Sequence, residues 1–309
     1  MPGHPVLTKW LTGAHAAHPL LRPDMPGWFL DTLELIVAPV DAADPLRLPT
    51  KIKAFRTLTT DTALLEQRAE LLIGSMLARG GVPFEFGKDY PDYVLGDQAL
   101  GVEVGSRALD GPWALHDRLE EQLSAIGSDV SVQLSFDDRP LKLGAVRIDE
   151  IAQQITSHPL SHPAESMRFD DVGLSVQLTR GALTTGSRVA VTFSGGFGLN
   201  LTAHMADVER EIANKAAEKA KQADRMPTIV LLELSRTGWA WMRGPQAMIP
   251  ALQKILPSTP FAGLGVFFTS LDNAEPMQTH LALASPLQPE VVPLIGQVAT
   301  ALNLTAHES

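Results

Sequence analysis

Thr228-Ile-Val-Leu-Leu-Glu-Leu is a continuous apolar run of strand length, broken only by Glu233. Such a run fits a strand buried on both faces of its sheet, and a strand of that kind needs a covering layer on each side. The candidates for those layers lie upstream. Residues 62–79 carry Leu65, Ala69, Leu72, Ile73 and Met76 at helical spacing, behind the capping pair Thr60-Asp61 and ahead of Gly80-Gly81. A second helix is predicted over 205–223. Three strand-like pieces, 82–86, 92–95 and 100–104, follow the first helix with Gly-containing turns between them, the pattern of a tight antiparallel meander.

Elsewhere helices and strands alternate irregularly. Helices are expected over 113–126, 147–157, 243–255 and 290–302, and strands over 130–136, 264–269 and 279–284. Strands at 172–178 and 188–193 read as a hairpin. In residues 1–56, eight prolines interrupt every stretch that could become a long element, and 28–37 reads as a strand or short helix. The fold class is α/β. The expected divisions are an N-terminal extension packing on the core (1–59), a first core segment (60–106), an α+β insertion (107–204) and a second core segment with C-terminal strands and helix (205–309).

The chain has 309 residues, 45% apolar and 19% charged, a globular balance. With 25 Lys and Arg against 35 Asp and Glu the net charge is −10, so any polyanion must be held by a local patch or through metal ions. The absence of cysteine excludes disulfides, thiolate metal sites and a Cys nucleophile. No apolar run reaches membrane-span length and no secretory signal is seen, so a cytoplasmic protein without membrane contact is expected.

Three carboxylates stand where chemistry is plausible. Asp92 opens the second strand behind Pro91. Glu103 lies on the third strand between Val102 and Val104, and strand alternation turns it away from both valines. Glu70, beside Ala69 and Leu71, borders the apolar face of the first helix. On adjacent strands, Asp92 and Glu103 could share one hard cation, since Mg²⁺ favours a few carboxylates, several waters and phosphate oxygens. The plain alternatives are a turn-capping Asp92, a solvent-facing Glu103 and a surface ion pair for Glu70.

This arrangement resembles the PD-(D/E)xK nuclease superfamily, the restriction-endonuclease-like fold. Pro91-Asp92, ten intervening residues and then Glu103 match its strand motifs, and Glu70 matches its helical glutamate. The later helix and the 228–234 strand resemble its second core helix and fourth strand. The resemblance covers 60–106 and 205–235. It implies DNA phosphodiester hydrolysis, in defence or repair, with Mg²⁺ (or Mn²⁺) on Asp92, Glu103 and the Val104 carbonyl, and with Glu70 binding a second ion or orienting water. An inactive relative that binds nucleic acid or protein is the alternative.

The chain departs from the pattern at Gly105, where the Glu-x-Lys motif places its lysine. Arg107 is near but stays protonated, so it could serve only as an electrostatic clamp. Lys215 and Lys219 are better candidates. On a helical wheel centred on Ile212, Lys219 lies about 20° away, inside the apolar arc, and Lys215 about 60° away at its edge. Plain readings exist for both, an i,i+4 pair with Glu211 for Lys215 and a stem running past alanines for Lys219. Lys51, Lys53, Lys88 and Arg107 are candidate backbone contacts to DNA, and the insertion a candidate surface for a homodimer or protein partner.

Other signals carry less. His158 and His162 have zinc-like spacing, but Pro159 and Pro163 break the helix it needs. Ser194-Gly-Gly-Phe-Gly lacks the residues of a phosphate loop, and Trp239 and Trp241 suit packing as well as base stacking.

Overall fold

The apolar run becomes the central strand of the larger sheet. The computed structural model describes residues 3–12, 18–21, 27–89, 91–108, 110–126, 130–136, 143–180, 191–193, 201–236 and 248–308. In chain order the helices are α1 (Pro5–Leu11), α2 (Gly27–Ala43), α3 (Leu48–Arg56), α4 (Asp61–Arg79), α5 (Asp110–Ala125), α6 (Ala145–Thr156), α7 (Leu201–Lys219), α8 (Ile249–Ile255) and α9 (Val292–Ala301). The strands are β1 (Glu85–Phe86), β2 (Tyr93–Leu95), β3 (Leu100–Ala108), β4 (Val130–Phe136), β5 (Ala164–Phe169), β6 (Leu174–Arg180), β7 (Val191–Phe193), β8 (Thr228–Arg236), β9 (Gly263–Phe268), β10 (Met277–Leu283) and β11 (Thr305–Glu308). Among the described residues they form a seven-stranded sheet, β1-β2-β3-β8-β9-β10-β11, and a four-stranded sheet, β5-β6-β4-β7. The chain divides into two compact units, 1–107 with 209–309, and 108–208.

In the first unit β1, β2 and β3 form the antiparallel meander, β8 and β9 run parallel, and β10 returns antiparallel before pairing in parallel with β11. On β8, Ile229, Val230, Leu231, Leu232 and Leu234 are all fully buried, as a strand covered on both faces requires. Ile229 and Leu231 join Val102 and Val104 in one core with Leu71, Leu72, Ile73 and Leu77 of α4 and Ile295 and Val298 of α9. Thr60 caps α4 by accepting from the Ala63 N–H at 3.3 Å.

The N-terminal residues differ from the Pro-broken segment that composition predicts. Pro5 and Pro49 fall in the first turns of α1 and α3, where an N–H has no intrahelical partner, so proline removes nothing. Pro39 does lie inside α2, at a cost of about 3 kcal/mol. Six apolar side chains buried on that helix, from Phe29 to Val40, outweigh it at roughly 1.5–3 kcal/mol each. Acidic residues of α2 then clasp α1. Glu34 accepts from the Val6 and Leu7 N–H groups at 2.9 and 2.8 Å, Asp31 from His4 at 2.7 Å, and Asp41 from Lys9 and Trp10. The first-turn N–H groups and helix dipole of α1 are thereby satisfied.

In the second unit α5 and α6 cover one face of the small sheet, burying Leu115, Leu119, Leu123, Ile151 and Ile155 against Val132, Leu134, Val176 and Leu178. The expected hairpin of 172–178 with 188–193 does not form. Strand β6 pairs antiparallel with β4 and β5, and β7 pairs in parallel with β4. The hairpin is instead β5–β6, closed by a turn through Gly173 at φ 59°. Ser194-Gly-Gly-Phe-Gly, Trp239 and Trp241 lie outside the described residues. His158 and His162 both turn to Glu165, at 2.7 and 3.7 Å, as partners of one carboxylate. Among the described residues no helix is long and apolar enough to cross a membrane.

Candidate active site

The meander fixes the two strand carboxylates. Tyr93 pairs with Val102, so one step further along the ladder Asp92 falls opposite Glu103, on the face opposite Tyr93 and Val102. The Asp92 N–H donates to Glu103 Oε2 at 3.1 Å, and the Val104 N–H donates to Asp92 Oδ2 at 2.9 Å. Pro91 is seated by the absence of a side chain at Gly101, where a Cβ would stand 2.5 Å from its Cγ. In an extended strand a residue's N–H and C=O face the same neighbour, so the Val104 carbonyl lies on the same side of β3 as the N–H that reaches Asp92.

Helix α7 brings the lysines. Val208, Ile212 and Ala216 are buried along one stripe, and Lys219 continues it. Lys219 Nζ bonds Glu103 Oε1, with the lysine side chain 19% and the glutamate 1% exposed. Lys215 lays its stem over Gly105, where a Cβ would lie 3.2 Å from Lys215 Cε and 3.0 Å from Leu232 Cδ2. Its ammonium lies 3.2 Å from Glu218 and also acts on Asp92.

From α4, Glu70 approaches the same group. Tyr93 Oη donates to the Glu70 carbonyl at 2.7 Å and ties that turn of the helix to β2. Gln67 holds Glu70 Oε2 at 3.0 Å, and Lys51 of α3 bonds Oε1. Lys51 is therefore a member of the cluster, a role its place in a basic run before the core did not reveal. Lys53 and Lys88 are exposed and away from these bonds, and the side chain of Arg107 lies outside the described residues.

Burial drives all three carboxyls above their ordinary range. Glu70 is pushed up to about 7, first by burial and then by the charge of Asp92, with Lys51 opposing. Asp92 is raised by burial, while the Val104 N–H and Lys51, Lys219 and Lys215 pull it back. Glu103 is raised by burial and by Asp92, against the pull of Lys219. The Tyr93 phenol is held well above its ordinary value by burial and by Glu70 and Asp92. The cluster is thus three acids and three lysines, a balanced set in which every acid feels another.

Among the described residues no three His, Asp or Glu side chains are arranged to hold a metal ion together. Asp92 and Glu103 offer a pair. Asp92 Oδ1 has no hydrogen bond among the described residues, and the adjoining Val104 carbonyl is a further hard oxygen. Two carboxylates, a carbonyl and water fit Mg²⁺ or Mn²⁺, which keep several waters and need few protein ligands. Glu70 stands apart from that pair, held on α4 by Gln67 and by its ion pair with Lys51.

A second buried polar group was not anticipated. Glu233 of β8 accepts from Ser106 Oγ and the Ser235 N–H, both at 2.8 Å, and from Thr269 Oγ1 at 3.2 Å. Arg68 of α4, 1% exposed, donates to the carbonyls of Ser270 and Asn273, and burial lowers its pKa to about 10. The sequence signal was Glu233 itself, a lone charge inside an apolar run. Comparison with protein-family models, with curated proteins and with solved structures returns no match.

Proposed function

We propose that the protein is a metal-dependent phosphodiester hydrolase acting on nucleic acid, DNA foremost, with a restriction-endonuclease-like core whose motif lysine has moved to α7. The observation carrying this reading is the fit between Gly105 and the α7 lysines. The side chain missing from β3 leaves space that Lys215 fills, while Lys219 reaches the carboxylate of Glu103. Asp92 and Glu103, with the Val104 carbonyl, would hold the ion. A divalent cation held there would polarise a phosphodiester and acidify a coordinated water.

The chain's own groups have defined tasks. Lys219 Nζ, held by Glu103 Oε1, supplies positive charge and protons where a phosphate oxygen gains negative charge. Lys215, less tightly engaged on the cluster's other side, offers a second cation to a phosphate oxygen. Water oxygen adds to phosphorus and gives up a proton to solvent, the bond to the leaving alkoxide breaks, and the alkoxide takes a proton from solvent. The local lysines also offset the net charge of −10 where a polyanion must approach. Exposed Lys53 and Lys88 suit contacts to its backbone.

Cleavage of a labelled DNA duplex and single strand with Mg²⁺ or Mn²⁺ tests this directly. Wild type should cut, Asp92→Ala should not, and Lys219→Ala should lose about 10²–10⁴-fold in kcat with KM little changed. Lys215→Ala should lose less and raise KM more. Equal activity in wild type and Asp92→Ala would assign the cutting to a contaminant.

One observation favours a second reading, an inactive member that binds nucleic acid or a protein partner. Both oxygens of Glu103 and both of Glu70 already have a hydrogen-bond or ion-pair partner, so these two carboxylates do not depend on an ion. Nucleic-acid or partner binding that persists in EDTA, with no metal uptake, would select it.

A further inference from the structure

Glu70 is the carboxylate that the nuclease reading would give to a second ion, yet its surroundings are built around a different cation. Lys51 comes from α3, outside the α4–β2–β3–β8 framework, and bonds Glu70 Oε1 while Gln67 holds Oε2. The pair is mostly buried, with side chains 18% and 13% exposed. Lys51 Nζ also lies 5.5 Å from the centroid of the Phe86 ring, whose face favours a cation. Its charge acts on Asp92 as well as on Glu70. One cation serving both carboxylates is the electrostatic role of an ion shared between them.

We infer that Lys51 stands in for a second metal ion, so that the centre takes up one divalent cation, on Asp92 and Glu103, and excludes another. This inference rests on the nuclease reading. It assigns a task to the N-terminal region beyond packing, because α3 supplies the charge that limits the centre to one ion. Removing the ammonium leaves Glu70 beside the charge of Asp92 with no cation of its own, and a divalent cation is a species suited to relieve it.

Calorimetric titration of the full chain with Mn²⁺ at pH 8 reads the stoichiometry without reference to activity. Wild type should bind one ion. Lys51→Met, which keeps an apolar stem beside Phe86, should bind two, and Lys51→Met with Glu70→Gln should return to one. Lys51→Arg should remain at one. Glu70→Gln alone should keep the stoichiometry of wild type. Circular dichroism establishes that each variant is folded, and the Glu70→Gln and Lys51→Arg results decide the matter if Lys51→Met fails to fold. Two ions in wild type, one ion in folded Lys51→Met, or loss of the single ion in Glu70→Gln would each overturn the inference while leaving the Asp92–Glu103 centre standing. No uptake by folded wild type would remove that centre and this inference together.

Discussion

At the scale of single residues, Glu70 shows what the cluster costs the fold. A carboxyl held above its unfolded value binds its proton more readily in the folded chain. Its contribution to stability is therefore present at low pH and is lost as pH rises from about 4.5 through about 7. This is the reverse of an ordinary salt-bridged glutamate. Glutamine keeps the shape but cannot ionise, so the melting temperature of Glu70→Gln relative to wild type should move upward between pH 5 and pH 8. The expected swing is on the order of 1–3 kcal/mol. Thermal melts of both proteins across that range are the check, and a difference that stays flat or falls with pH would mean that Lys51 fully compensates the charge. Gly105 makes the complementary point. In sequence it is only an absent side chain, but against α7 it is the opening through which the Lys215 stem crosses buried surface beside Leu232.

At the scale of elements, α4 and β2 are joined through Gly74. A Cβ there would stand 2.7 Å from Tyr93 Oη and 3.1 Å from its ring, and Tyr93 is fully buried. Alanine gains about 1 kcal/mol of helix propensity over glycine, but overpacking costs typically about 1–3 kcal/mol and displaces the bond to the Glu70 carbonyl. Gly74→Ala should therefore destabilise wild type by about 1–2 kcal/mol. In Tyr93→Phe, which lacks the clashing oxygen, the same change should be close to neutral. Urea unfolding of the four proteins in a double-mutant cycle measures the coupling, and equal penalties in both backgrounds would refute it.

The elements also show which parts of the fold can be read from sequence. The Thr60 cap, the α4 stripe, the meander and the inward arc of α7 are local patterns of period and turn, so spacing alone locates them. The pairing of β7 was hidden because a hairpin rule joins sequence neighbours, whereas β7 lies beside β4 more than fifty residues away. Strand β5 has a weak alternation and follows Pro163, which masked it. The α2 helix was obscured by Pro39, whose cost is visible locally while the burial that outweighs it is tertiary. Lys51 falls in the same class. A basic run before a helix has many uses, and only the packing of α3 brings this one to Glu70.

At the scale of the molecule, the division of the chain leads us to expect separate unfolding of the two units. Residues 108–208 are continuous in sequence, and the strand pairings of their sheet and the core of α5 and α6 against it are made within the segment. A domain of about 100 residues buries enough apolar surface to be stable alone, and typically unfolds with an enthalpy of about 60–80 kcal/mol. Expressed by itself, 108–208 should melt in one cooperative transition. The carboxylates and lysines of the candidate centre all belong to the other unit. A ligand that binds only the folded form stabilises by about 2.7 kcal/mol at a hundredfold excess over Kd. For a unit of roughly 200 residues that corresponds to an upward shift of about 5–10 °C. Calorimetry of the full chain with Mn²⁺ should therefore raise one transition and leave the other at the temperature of isolated 108–208. If Mn²⁺ shifts the melting of the isolated segment as strongly as that of the full chain, the ion is binding outside the Asp92–Glu103 pair.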